Sequence, residues 1–327
     1  MNLPARFLAL TLLFVSTAAL AGPAVLFFPV LGRPDGVVLQ GRVLKEAPSR
    51  GSSVLSRNLR RLTAPNWEGA PVEVSFQGVT AAVKSGHDGN FEVNLKPHPG
   101  TSFPTGFAVA EAKVSGVTAQ TRVEVVPDTT PFLVISDDDT LAVTQVVKPA
   151  KLMESALLKD SDTQEVVPGM AAFYGCLKIP GTPSFALVSG SPVQFVPRIA
   201  TFLTRNAFPS FGMYLRDLGP GTLSNYKQPA IRRLMNQFPQ QVVLVGDSGE
   251  KDPEVYQQIR EEFPGRVKAI YIRDAGRTED KERFTDMVLF KDAGEAAAHA
   301  VKSGLADASC VSEAFPAPAT TAEKTAP

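Results

Sequence analysis

The stretch Val242-Val-Leu-Val-Gly-Asp-Ser-Gly-Glu-Lys-Asp252 decides the fold together with two similar ones, Phe132-Leu-Val-Ile-Ser-Asp-Asp-Asp-Thr140 and Ala186-Leu-Val-Ser-Gly-Ser-Pro192. Each is a short apolar run that ends abruptly in acidic, serine or glycine residues, which is typical of a strand buried on both faces of a parallel sheet. In open α/β sheets, ligands bind at the carboxyl ends of the strands. Because two of the three ends carry clustered aspartates, the pattern predicts a site for a hard cation and a phosphate.

Helical segments alternate with these strands, and the alternation predicts a doubly wound α/β domain over residues 129–311. Proline stands at a favourable first position in several of the helices. The predicted helices are 149–158, 168–177, 197–204, 227–238, 253–263 and 293–303, and a further strand is 266–273.

Residues 22–128 have the pattern of a small all-β sandwich. Short segments alternate between apolar and polar residues and are separated by turn signals, which is typical of this architecture. The predicted strands are 37–43, 72–76, 90–95, 107–114 and 121–125. The polar, arginine-rich stretch 48–61 could contact anionic groups, but we interpret it as a solvated loop. Residues 312–327 contain almost no large apolar side chains, which predicts a disordered tail.

The N-terminus has the features of a secretory leader. Arg6 precedes the apolar run Phe7–Val15, and a small-x-small cleavage motif ends at Ala21. This pattern predicts a cleaved signal peptide over residues 1–21 and export to the periplasm or the medium. An uncleaved anchor is the alternative, although the run is shorter than the roughly 20 residues that a membrane span needs.

Composition excludes some functions. The formal net charge is zero, so no overall field attracts nucleic acid or an anionic membrane. The three histidines are isolated in the sequence, which disfavours a zinc site. Cys176 and Cys310 are the only cysteines. In an exported protein they could form a disulfide, but the sequence does not show that they meet.

Carboxylates at two strand ends suit phosphoryl chemistry. Of Asp137 and Asp139, one could attack phosphorus while the other handles the proton of the leaving group. Asp247 and Asp252 could add ligands for Mg²⁺, which prefers oxygen donors and is usually held by one or two carboxylates plus a substrate phosphate. Taken singly, such aspartates can be loop or helix-capping residues.

Three further residues could bind the phosphate itself. Ser189 offers a hydroxyl, with the backbone amides around Gly190 beside it. Lys227, expected at the start of a helix, could offset developing negative charge. Helix dipoles at Pro192 and Lys227 would help. Each feature alone has a structural interpretation, but their order on successive strand ends favours a phosphate site.

The order of these motifs resembles that of the haloacid-dehalogenase-like (HAD) phosphatases, which have a Rossmann-type doubly wound domain. More specifically, the chain resembles the actin-patch-type phosphatidate phosphatase family, distant relatives of the lipins, over about residues 130–280. The segments that carry this resemblance are 188–195, 215–218, 226–227, 246–256 and 270–274. The resemblance implies an Mg²⁺-dependent phosphatidate phosphatase that forms diacylglycerol through an aspartyl-phosphate.

Carried over residue by residue, the resemblance assigns a role to each candidate. Asp137 would be the nucleophile and Asp139 the general acid/base. The phosphate-binding residues would be Ser189, Gly190 and Lys227, and the metal ligands would be Asp137, Asp139, Asp247 and Asp252.

The first motif departs from the family pattern Asp-x-Asp-x-Thr. If Thr140 fixes the register, Ser136 stands at the nucleophile position and Asp138 at the acid/base position. If the strand fixes it, the pair is Asp137 and Asp139, and Leu141 replaces the threonine. We favour the second register.

Two other functions stay open. The chain could be a weakly active or inactive relative that binds a phosphorylated ligand or a protein, or a phosphatase of small metabolites. The segment 146–180 stands where many such enzymes insert a cap. One helical face in it could meet a membrane surface, although core packing is the alternative that we favour.

Overall fold

The computed structural model describes residues 22–48, 51–143, 161–217 and 223–316. The predicted signal peptide 1–21, the predicted helix 149–158 with the face proposed for membrane contact, and residues 317–327 of the predicted tail lie outside these ranges. The fold is mixed α/β. A segment of β-strands with one helix, residues 22–125 (the β part), precedes a segment of alternating strands and helices, residues 132–316 (the α/β part).

Two sheets form the β part. The antiparallel three-stranded sheet has the order β1 (Ala24–Phe27), β3 (Val37–Leu44), β6 (Asn90–Leu95). The five-stranded sheet has the order β2 (Val30–Gly32), β8 (Val117–Val125), β7 (Gly106–Val114), β4 (Pro71–Phe76), β5 (Val79–Lys84). One apolar cluster joins the sheets, with Leu39 from the first and Val74 from the second. The five predicted strands are confirmed; β1, β2 and β5 were not predicted.

A helix replaces part of the loop predicted for residues 48–61. This helix, α1 (Val54–Thr63), begins after Ser53, whose hydroxyl oxygen accepts a hydrogen bond from the Ser56 amide at 3.2 Å. The prediction of a loop was wrong because it was based on the polar arginines and did not include the capping of a helix by Ser53. It also overlooked the helical spacing of the leucines, one of which, Leu62, packs against the core of the α/β part.

A six-stranded parallel sheet forms the centre of the α/β part. Its order is β11 (Phe211–Arg216), β10 (Ser184–Pro192), β9 (Phe132–Ser136), β12 (Gln241–Asp247), β13 (Val267–Arg273), β14 (Val288–Phe290). The three apolar runs of the sequence are therefore adjacent parallel strands, with β9 between the other two. Every residue of β9 is buried. Because the strands are parallel, their carboxyl ends meet at one edge.

Helices cover both faces of this sheet. Alternate β9 residues point into two apolar clusters: Val134 into one, and Leu133 and Ile135 into the other. The helices on the Val134 side are α3 (Met170–Cys176), α4 (Val196–Arg205), α7 (Ala293–Lys302) and α8 (Ala308–Ala314). Those on the opposite side are α5 (Leu223–Gln237) and α6 (Asp252–Glu262). The short α2 (Asp138–Leu141) follows β9 directly, and 3-10 turns span Val193–Phe195 and Lys281–Phe284.

The C-terminal end of the chain differs from the prediction of a tail that begins at residue 312. Helix α8 continues to Ala314, and the partly buried Phe315 packs against the core, because its ring provides the apolar surface that the following residues lack. A disulfide joins Cys176 of α3 to Cys310 of α8, which settles the pairing that the sequence left open. Among the helices of the described ranges, none has both the length and the apolar composition needed to cross a bilayer.

The β part packs directly onto strand β11. A Cβ atom at Gly212 would lie 2.9 Å from the backbone nitrogen of Leu31, so glycine is what allows β2 and β11 to approach. The Met213 amide donates to the Pro29 carbonyl at 2.7 Å. Asp217, just after β11, accepts hydrogen bonds from Arg42 (2.7 Å) and from Asn90.

Candidate active site

Asp137 is the first residue after the central strand β9. Its Oδ1 accepts hydrogen bonds from the Thr140 amide (2.9 Å) and the Thr140 hydroxyl (2.5 Å), so the side chain caps helix α2. Its Oδ2 accepts from the Lys227 ammonium at 2.5 Å. Only 1% of Asp137 is exposed. Both carboxylate oxygens are therefore held in place.

Ser136 lies on the opposite side of the chain from these charges. Its hydroxyl is 2.6 Å from the Tyr174 hydroxyl and donates to the Asp137 carbonyl at 3.3 Å. The residue is fully buried. Asp137, and not Ser136, therefore lies among the charged groups at the strand ends.

Asp137, Asp247 and Asp252 form a buried carboxylate cluster (the Asp cluster). One carboxylate oxygen from each lies within 4.8 Å of the other two. The Asp247 amide donates to Oδ2 of Asp252 at 3.1 Å, and the Gly249 amide donates to Oδ1 of Asp247 at 2.7 Å. A Cβ atom at Gly246 would lie 2.6 Å from Oδ2 of Asp252, so this glycine is what admits the Asp252 carboxylate.

The Asp cluster has the chemistry of a divalent-cation site. The other oxygen of Asp247, Oδ2, is buried and has no hydrogen-bond partner in the described ranges. A buried oxygen without a partner is costly and calls for a ligand. Carboxylate oxygens are the donors that hard cations such as Mg²⁺ prefer. The residues therefore fit a metal ion.

Lys227 connects the Asp cluster to Glu250. Its ammonium group donates to Asp137 (2.5 Å), Asp252 (2.6 Å) and Glu250 (3.0 Å), which uses all three protons. The prediction that Lys227 opens a helix was wrong: α5 begins at Leu223, so the lysine lies in the second turn and gains no benefit from the helix N-terminus. The first turn of α5 was not predicted because its residues show no apolar periodicity.

The charges of the site shift the pKa values of its carboxyl groups. Burial, together with the negative charge of Asp137, raises the pKa of Asp247 to about 6 and that of Asp252 well above its ordinary value. Burial acts in the same direction on Asp137, but the Lys227 ammonium holds the pKa of Asp137 below its usual range. Burial would lower the pKa of Lys227, yet the three carboxylates raise it. Additional positive charge at the Asp cluster would allow all of its members to ionise.

Ser189 lies near the end of β10, the strand next to β9, and binds Asp138. Its hydroxyl donates to Oδ1 of Asp138, and the Ser191 hydroxyl donates to Oδ2 at 2.6 Å. The Ser191 amide donates back to the Ser189 hydroxyl at 2.9 Å. The predicted phosphate-binding segment, with half-buried Gly190 between the serines, is thus fixed to the end of β9. The prediction of a helix dipole at Pro192 was wrong, because a 3-10 turn follows this residue and α4 begins only after that turn.

Asp139 is not a member of the Asp cluster, although the charges of Asp137 and Asp247 act on it, so the structure brings together three of the four predicted metal ligands. Its half-buried carboxylate makes no hydrogen bond with any described residue, and its carbonyl oxygen accepts one from Arg273 at 3.0 Å. Burial and the charges of Asp138 and Glu250 raise the pKa of Asp139 well above its ordinary value. Arg273, at the end of β13, is a site cation that residue-type reasoning did not single out, although it lies in one of the resembling segments.

Comparison with known proteins shows that part of the chain is similar to one family. Residues 132–274, which contain every side chain of the site, match the family model described as "Phosphatidate phosphatase APP1, catalytic domain". An uncharacterized protein of Schizosaccharomyces pombe (strain 972 / ATCC 24843) is 34% identical over 152 residues, which are 43% of this chain and 25% of that protein. Phosphatidate phosphatase APP1 of Saccharomyces cerevisiae (strain ATCC 204508 / S288c) is 31% identical over 148 residues, which are 42% of this chain and 25% of that protein.

These matches are confined to part of each protein. The chain spans about a quarter of the length of the curated relatives that it matches. Among solved structures, a carbohydrate acetylesterase from Xanthomonas citri matches over 76% of this chain and 60% of its own, with 13% identity and a TM-score of 0.27. A likeness of that strength carries no conclusion about fold or function.

Proposed function

We propose that this chain hydrolyses phosphatidate to diacylglycerol and phosphate, with a HAD-like domain and a divalent metal ion, because residues 132–274 match the model of the phosphatidate phosphatase APP1 catalytic domain. One observation carries the proposal. The nucleophile candidate, Asp137, stands at the carboxyl end of the central strand, within a buried Asp cluster that also contacts Lys227.

The chemistry divides between two carboxyl groups. Asp137 attacks the phosphorus of the phosphomonoester and forms an aspartyl-phosphate, while the ester oxygen leaves with a proton from Asp139. Water then attacks the aspartyl-phosphate, with Asp139 accepting its proton, and phosphate is released. Thr140 and Lys227 support this proposal because they hold the two oxygens of Asp137. Asp139 suits a proton carrier because its carboxylate is not engaged by any described neighbour.

Binding of the phosphate is assigned to residues around this pair. Lys227 places a positive charge beside Asp137, and the amides near Ser189 and Gly190 lie at the adjacent strand end, where they can donate to phosphate oxygens. A metal ion would be held by Asp137, Asp247 and Asp252. Bound Mg²⁺ would supply the positive charge that neutralises the phosphate and the carboxylates.

The test is phosphate release from phosphatidate and from p-nitrophenyl phosphate, with and without Mg²⁺. We expect magnesium-dependent turnover, and a loss of about three orders of magnitude or more in the Asp137→Asn variant. Ser136→Ala is the matched control, because it changes the adjacent residue without touching the charges. Activity on the small substrate alone would favour a phosphatase of small metabolites. The absence of turnover on both would favour an inactive, ligand-binding relative.

Export is part of the same proposal. Disulfides persist in oxidising compartments, so the Cys176–Cys310 bridge supports the secretory leader over residues 1–21. Purification from a secreting host followed by mass spectrometry should give a mature chain that begins at Gly22. A chain that keeps residues 1–21 would contradict cleavage.

A further inference from the structure

Helix α1 exposes two large apolar side chains on one face. Leu55 is 45% exposed and Leu59 is 50% exposed. They are four residues apart and therefore neighbours on the helix surface. Within the described ranges, only two other large hydrophobic residues, Phe107 and Val109, are at least this exposed, and both lie on β7. The exposed face of α1 is thus an apolar patch on an otherwise polar segment.

The same segment carries a local excess of positive charge. Residues 47–67 contain four arginines and no acidic residue, although the whole chain has a formal net charge of zero. Arg60 is exposed beside the two leucines, and Arg57 and Arg61 are half-buried in the same helix. A helix with an apolar face and arginines around it is typical of an element that lies in the interface of an anionic membrane.

The position of α1 relates this face to the site. The inner side of the helix is anchored because Leu62 packs against the core of the α/β part. The helix also contacts the 3-10 turn Val193–Phe195. That turn comes shortly after Ser189 and Ser191, which bind Asp138 at the start of α2. A surface bound to the outer side of α1 is therefore brought near the phosphate-binding segment.

We propose that the exposed face of α1 (the Leu55/Leu59 face) is a docking surface for an anionic phospholipid bilayer. The leucines enter the acyl boundary while the arginines meet lipid phosphates. The occupant is a bilayer because helix α1 combines exposed leucines with arginines, and its own residues, 54–63, include no acidic side chain that would pair with a protein cation. This inference rests on the proposed function for its purpose: docking holds the enzyme at the surface that contains its lipid substrate.

The first test measures vesicle binding without turnover. The mature Asp137→Asn protein is sedimented with vesicles of pure phosphatidylcholine, and with vesicles that also contain phosphatidate or phosphatidylglycerol. We expect binding to both anionic compositions, weakened by added salt. The additional double substitution Leu55→Ser/Leu59→Ser should lower the affinity about tenfold or more. Serine at Phe107 and Val109, which are exposed on β7, is the matched control and should leave binding unchanged.

The second test separates docking from catalysis in the otherwise native enzyme. Leu55→Ser/Leu59→Ser should keep its rate on p-nitrophenyl phosphate, which also shows that the variant is folded, and should lose rate on phosphatidate vesicles. Undiminished vesicle binding by this variant overturns the proposal, as does equal binding to neutral and anionic vesicles. Binding that falls equally in the β7 control also overturns it. Because sedimentation needs no turnover, a failure of the proposed catalytic function leaves the binding result interpretable.

Discussion

The buried pair of Ser136 and Tyr174 gives the sharpest test of which residue is the nucleophile. The two hydroxyl groups are 2.6 Å apart, and both residues are almost completely inaccessible. If Ser136 has a structural role only, removal of its hydroxyl should affect stability and leave the chemistry intact. If Ser136 stood at the attacking position, the reverse would hold.

The expected magnitude follows from which groups lose a partner. Ser136→Ala leaves the Tyr174 hydroxyl buried without a partner, which costs about 1–3 kcal/mol. In Tyr174→Phe, Ser136 keeps its 3.3 Å hydrogen bond to the Asp137 carbonyl, so the cost should be the net value of one hydrogen bond, about 0.5–1.5 kcal/mol. The double variant has no orphaned hydroxyl. Its cost should therefore be smaller than the sum, with a coupling energy of about 0.5–3 kcal/mol.

The assay combines urea denaturation of the four proteins with phosphatase kinetics. The free energies of unfolding close the double-mutant cycle, and the melting temperature should fall by about 2–4 °C per kcal/mol lost. Ser136→Ala should retain kcat on p-nitrophenyl phosphate within about threefold, because a buried hydroxyl outside the charged cluster makes no interaction with the transition state. A folded but inactive Ser136→Ala protein would refute the assignment of Asp137. Additive costs in the cycle would show that the hydroxyl pair does not stabilise the protein.

Three further predictions concern single sites. In Gly246→Ala the new Cβ would lie 2.6 Å from Oδ2 of Asp252, so we expect the free energy of unfolding to fall by about 1–3 kcal/mol. Addition of Mg²⁺ should raise the melting temperature of this variant less than that of the parent. An equal rise would contradict the role of this glycine. Burial raises the pKa of Glu124 above its ordinary value of 4.5, so the parent loses stability relative to Glu124→Gln as the pH rises through the folded-state pKa. Between about pH 4 and pH 7, the melting temperature of Glu124→Gln should rise relative to that of the parent. A relative fall over this interval would contradict a raised pKa for Glu124. Cys310→Ser opens the bridge to Cys176 and should cost about 2–4 kcal/mol in chemical denaturation, whereas stability equal to that of the parent would show that the bridge is not formed.

The middle strands of the central sheet, β9, β10 and β12, were predictable because they are buried on both faces. Strands β11 and β14, nearer the edges, were not predicted. The run Phe132–Ile135 has no polar residue to interrupt it, and an uninterrupted apolar run of that length is characteristic of a parallel strand. The convergence of Asp137 with Asp247 followed from the rule that ligands gather at the carboxyl ends of strands. Neither inference required knowledge of side-chain positions.

The rest of the site depended on local geometry that the sequence does not contain. Asp139 was expected to point to the same place as Asp137, but α2 begins at Asp138. In an extended chain, side chains two residues apart, such as those of Asp137 and Asp139, lie on one face. In a helical turn they point in different directions. The bond from Ser191 to Asp138 depends on the register between β9 and β10, which residue types do not determine.

The contact at Gly212 has a consequence for how the chain holds together. Strand β2 pairs with β8 in the β part, yet Leu31, which it contributes, belongs to an apolar cluster beneath the parallel sheet, and Phe28 belongs to the cluster on the other face. The core of the α/β part is thus completed by residues that precede it by about a hundred positions in the chain. Because the two parts share these apolar clusters, we expect them to unfold together, with the β part helping to hold the strands that carry the aspartates.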